Sequence, residues 1–106
     1  MNRDNNRLII ELDKHRRQVN REKINPTIAS ADIDTFIPVV NLCAKARAEY
    51  IECLLRIADE DEEESRSKKN IDQLRQYRLT YEELVAAANA LETVIERGYV
   101  DVKGTS

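Results

Sequence analysis

The sequence predicts an all-α protein, a single domain over residues 1–106 folded as an antiparallel bundle of three long helices. Three observations point that way. Two Gly and two Pro in 106 residues leave few places for a sharp turn, which favours long helices over strands joined by hairpins. Apolar residues recur at spacings of three and four through three separate segments. The last of those segments keeps a single heptad register.

The first helix is expected at about 5–23. Leu8, Leu12, His15 and Val19 form one stripe, which Ile9 and Ile10 widen near its start. Arg7–Glu11 and Asp13–Arg17 stand at the spacing of exposed helix pairs, so this helix covers a core on one side and meets water on the other. Residues 24–34 then break the pattern. Pro26 disfavours helix at Asn25, and Ser30, Asp32 and Asp34 are turn or capping types. Ile24, Ile28 and Ile33 make this an ordered crossover rather than a free linker.

The second helix is expected at 35–59, with Thr35 as its N-cap and Pro38 in the first turn, where a missing N–H costs little. Its polar residues Asn41, Lys45, Glu49, Glu52, Arg56 and Asp59 fall on one stripe about 80° wide at 100° per residue. Most of the remaining circumference is apolar or small, so the helix needs neighbours on more than one side. This is the central helix. Six consecutive acids, Asp59 to Glu64, would oppose a helix C-terminus and favour the N-terminus of the next helix, which places the turn near 60–66.

The third helix is expected at 66–97. Leu74, Tyr77, Tyr81, Leu84, Ala88, Leu91 and Ile95 step through it by 3, 4, 3, 4, 3 and 4 residues. Thr80-Tyr81-Glu82-Glu83 is a capping box that could break the helix near 80. The heptad phase runs through Thr80 unshifted with no Gly or Pro nearby, which favours one continuous helix ending where Gly98 supplies the residue after the cap. Tyr99-Val100-Asp101-Val102 alternates like a short strand, but no segment stands out as its partner, so a packed or frayed tail is expected.

Composition narrows the function class. Apolar residues make up 42% and charged residues 35%, the balance of a protein that lives in water, and no stretch approaches the roughly 18 apolar residues of a membrane span. The start Met1-Asn2-Arg3-Asp4-Asn5-Asn6 lacks the apolar core of a signal peptide, so the expected location is cytoplasmic. Cys43 and Cys53 lie ten residues apart on one helix, about 15 Å along its axis, too far for a disulfide between them. They read as small buried apolar residues of a reducing compartment.

Neither catalytic nor cofactor chemistry has a foothold. His15 is the sole histidine, and its neighbourhood Glu11-Leu12-Asp13-Lys14-His15 lacks the spacing of a helical metal site. A Ser or Cys triad lacks a second candidate base, and both glycines lie in the last nine residues, away from any phosphate cradle. The acidic run has neither the Gly nor the alternating ligands of a calcium loop. No catalytic residue, cofactor or metal is expected.

The expected function is therefore non-enzymatic: a helical protein–protein interaction module, an adaptor, chaperone-like protein or regulatory subunit, acting as a homodimer. Helix lengths support self-association. At 1.5 Å per residue the three helices span about 28, 37 and 48 Å, so the third overhangs the first and its stripe would face water in a monomer. The expected interface is Tyr77, Tyr81, Leu84, Ala88, Leu91 and Ile95, with Arg47, the one charge on the apolar face of the central helix. The competing expectation is a nucleic-acid-associated regulator using Lys14, Arg16, Arg17 and Arg21 on the first helix with Lys68 and Lys69 at the start of the third. A net charge of −3 weighs against it.

Overall fold

A computed structural model of the chain describes residues 3–28 and 30–102. The described residues are helical apart from connectors and a single bridge. The helices are α1 (Arg3–Ile24), α2 (Ile33–Ala58), α3 (Glu62–Ser65) and α4 (Lys68–Glu96). No helix among them is long and apolar enough to cross a membrane. The chain divides into two compact units, one of Met1–Thr35 with Leu91–Ser106 and the other of Phe36–Ala90.

The start of α2 differs from expectation for a clear reason. Thr35 is not the N-cap; Asp32 is. The Thr35 N–H donates to Asp32 Oδ1 at 3.1 Å, and the Asp32 N–H donates to Thr35 Oγ at 3.2 Å. This reciprocal box satisfies two otherwise orphaned donors and begins the helix two residues earlier. Pro38 therefore falls beyond the first turn, inside the helix, where its ring removes a donor from the ladder.

The acidic segment also does more than turn. Asp61 caps α3, its Oδ1 accepting from the Glu64 N–H at 2.9 Å, and Glu62, Glu63 and Glu64 occupy the first turn at the positive end of the backbone dipoles. Ser67 then caps α4, with Asn70 N–H donating to its Oγ at 3.3 Å. From there α4 runs unbroken through Thr80. Gly98, at φ 71°, ends it. Gly98 N–H bonds Ile95 O and Tyr99 N–H bonds Val94 O, each at 3.0 Å, the double closure of a helix that finishes on a left-handed glycine.

In the unit of residues 36–90, α2 and α4 pack as an antiparallel hairpin. Its covered side chains are Ala46, Cys53 and Ile57 on α2 and Asn70 on α4. In the other unit the tail expected to lack a partner has one. Tyr99 and Val100 are buried, Ala31 N–H donates to Asp101 O at 2.9 Å, and Ala31 forms a parallel bridge with Val102. The α1 helix carries no buried residue.

Candidate interaction surface

Within the hairpin, three groups of side chains join α2 to α4. Near the open end, the Cys43 thiol donates to Leu84 O across 3.7 Å. One turn further, Arg47 Nε and Nη2 both donate to Tyr81 Oη, at 3.0 and 2.6 Å, with the guanidinium carbon 5.3 Å from the ring centroid. Tyr50 stands beside that ring, with centroids 6.2 Å apart. Arg47 thus has an aromatic ring and a hydroxyl as its neighbours on α4. A planar guanidinium suits both, donating along its edge while its cationic centre lies near the ring.

The third group closes the hairpin. Arg56 Nη1 donates to Glu60 Oε1 at 3.0 Å, and its Nη2 donates to Gln73 Oε1. Asn70 Nδ2 donates to Glu60 Oε2 at 2.6 Å and to Glu64 O at 2.8 Å, while its Oδ1 faces Arg56 Nη1 at 3.5 Å. Only this orientation of the amide satisfies both oxygens and the guanidinium at once. Beside the network lies a cleft of about 150 Å³ lined by Glu49, Glu52, Cys53, Arg56, Gln73 and Tyr77. Cys53 is buried and Cys43 half-buried, and both are free thiols, so the expectation of two buried cysteines holds for Cys53 and is too strong for Cys43.

The stripe expected to associate between molecules is occupied within the chain. Tyr77, Tyr81, Leu84 and Ala88 are half-buried on the side of α4 that meets α2, and Leu91 and Ile95 are half-buried in the other unit. The open apolar surface lies elsewhere, on α2. Ile37, Val40, Ile51 and Leu55 are all exposed, with Val40 at 62% and Leu55 at 64%, and exposed Ala44 and Ala48 lie between them. At 100° per residue this face sits about 160° around the helix from the covered line through Ala46, Cys53 and Ile57. Helix α2 therefore carries two apolar lines, and α4 fills one. Their separation was legible in the width of the apolar arc; which line α4 takes was not.

In the other unit, Arg21 ties α1 to the tail. Its Nη1 donates to Gly98 O at 2.7 Å and its Nη2 to Asp101 Oδ1 at 2.6 Å. That hydrogen bond, and then the charge behind it, hold the Asp101 carboxyl below the ordinary aspartate range. The stripe of α1 remains open, with Leu8, Ile9, Ile10 and Leu12 all more than half exposed.

The basic residues considered for nucleic acid divide between the units. Arg17 pairs with Asp13 at 3.1 Å, Arg21 with Asp101, and Lys68 with Asp72 at 2.9 Å. Lys14, Arg16 and Lys69 are exposed. Among the described residues no group of three His, Cys, Asp or Glu side chains is placed to hold a metal ion. No family model, curated protein or solved structure matches this chain.

Proposed function

We propose that this chain is a non-enzymatic protein–protein interaction module, an adaptor, chaperone-like protein or regulatory subunit, that works as a homodimer. The observation that carries the reading is the second apolar line of α2, open along the helix while the first is filled by α4. Contiguous apolar surface of this kind marks an association site, and a two-fold dimer is its commonest occupant. Burying each of the four large side chains, roughly half exposed at present, would contribute on the order of 1 kcal/mol.

The three-helix antiparallel bundle is the other way to cover the same surface, with α1 laid against α2 of its own chain. The open stripe Leu8, Leu12 and Val19 favours considering it, because α1 also lacks a partner for its apolar face. Light scattering at micromolar concentration separates the two readings. A mass near twice 12.3 kDa supports the dimer, and a mass near 12.3 kDa refutes it in favour of a chain that satisfies itself. Nucleic-acid association is disfavoured by the acids already paired with Arg17, Arg21 and Lys68. Retention on a polyanion column that falls steeply with salt would revive it.

A further inference from the structure

We propose that the dimer contact is α2 itself, packed antiparallel against α2 of a second copy about a two-fold axis between Arg47 and Ala48. This rests on the association reading above and gives it a surface and a direction. Ile37, Ala44, Ile51 and Ala58 recur every seven residues on the open line, alternating large and small, and all four are exposed. A two-fold at that point sets Ile37 against Ala58 of the second copy and Ala44 against Ile51, so each level pairs a large side chain with a small one. Val40 falls against Leu55 in the same register. Facing helices pack best when bulk alternates across the contact, and alanines let the backbones approach closely.

Charge selects the direction. Lys45 and Glu52 lie on one flank of this line, both exposed, and neither has an ion-pair partner within 4 Å among the described residues. An antiparallel two-fold brings like flanks together, so Lys45 of each copy meets Glu52 of the other, twice per dimer. A parallel pairing would set Ala44 opposite Ala44 and Ile51 opposite Ile51, leaving a gap at the small levels, and would separate the flanks that carry Lys45 and Glu52. The line is therefore complementary to its own reverse, which is what a two-fold contact requires.

Ala48, next to the axis, provides the test. At an axial separation of about 8–9 Å the two Ala48 Cα atoms would stand roughly 5–6 Å apart, within disulfide range. Full-length Ala48→Cys under mild oxidation should yield a covalent dimer in high yield. Wild type and Ala87→Cys, at an exposed site on α4, are the controls and should give little. Lys45→Glu and Glu52→Lys should each weaken self-association by roughly 2- to 10-fold, and the double variant should restore it. Circular dichroism on every variant verifies that the helices are intact. A monomeric wild type overturns the association reading and this contact with it. A dimeric wild type whose Ala48→Cys form cross-links no better than Ala87→Cys overturns the contact alone. Cross-linking without restoration in the double variant overturns the antiparallel direction.

Discussion

Asn70 is the polar side chain whose removal should cost the hairpin most. It is 4% exposed, and its amide closes the turn by donating to Glu60 Oε2 at 2.6 Å and Glu64 O at 2.8 Å. In Asn70→Ala, Glu64 O loses its side-chain donor and Glu60 keeps only Arg56 of the partners named above. A hydrogen bond to a charged acceptor is worth about 1.5–3 kcal/mol and a neutral one about 1. Glu60 is 28% exposed, so water replaces part of the first, which favours the low end. Better helix propensity returns roughly half a kcal/mol. The expected net loss is about 2 kcal/mol, a fall of roughly 1–2 M in the urea midpoint with the slope unchanged. Asn70→Asp should lose more, since a second carboxylate then faces Glu60 and no side chain donates to Glu64 O, which keeps its backbone donors. A midpoint shift below about 0.3 M for Asn70→Ala would refute the reasoning and show that the turn holds without the amide.

Three further outcomes are expected. Asp32→Ala removes the acceptor that caps α2 and should cost about 1 kcal/mol in urea melts, whereas Thr35→Ser, which keeps the hydroxyl, should cost less; equal losses would contradict the reciprocal box. Thr80→Ala should be neutral or stabilising by up to about half a kcal/mol, because Thr80 is exposed inside a continuous helix, and a loss near 1 kcal/mol would mean that a cap had been removed. The Asp101 carboxyl is held below its usual value, so its contribution is present above roughly pH 4 and is lost as pH falls through the depressed native value. Carboxyl titration by NMR should show that depression in the wild type, and Arg21→Gln should remove most of it; an unchanged titration would exclude the Arg21 bond as its main cause.

Local chemistry was readable wherever one residue type had one use. Gly98 as the end of α4, the unbroken heptad through Thr80 and the placing of the acids ahead of α4 follow from backbone constraint, periodicity and dipole sign. The misreadings arose where two residues competed for one role. Asp32 and Thr35 are both capping types, and only the reciprocal pairing of their backbone and side-chain groups decides between them. The partner of the tail was hidden because Ala31, small and alone, carries no strand pattern around it. For the interface, periodicity shows that a line is apolar and says nothing about which neighbour takes it. The stripe on α4 is longer and more regular than the open line on α2, yet it is the one engaged inside the chain. Arg47 was legible as an anomaly on an apolar face, and Tyr81 is 34 residues away, a separation at which sequence spacing gives no cue.

The bonds from Arg21 to Gly98 and Asp101 join residues 77 and 80 positions apart. All the residues that close the hairpin, by contrast, lie between 36 and 90. During synthesis the hairpin can therefore form as soon as α4 has emerged, from a turn whose bonds are local. The unit around α1 cannot close until residue 101 is free, because its tie and its bridge both use the last stretch described. Until that moment α1, a helix of 22 residues with no buried side chain, lacks its tie to the tail. Non-local closure after local closure is the slow order.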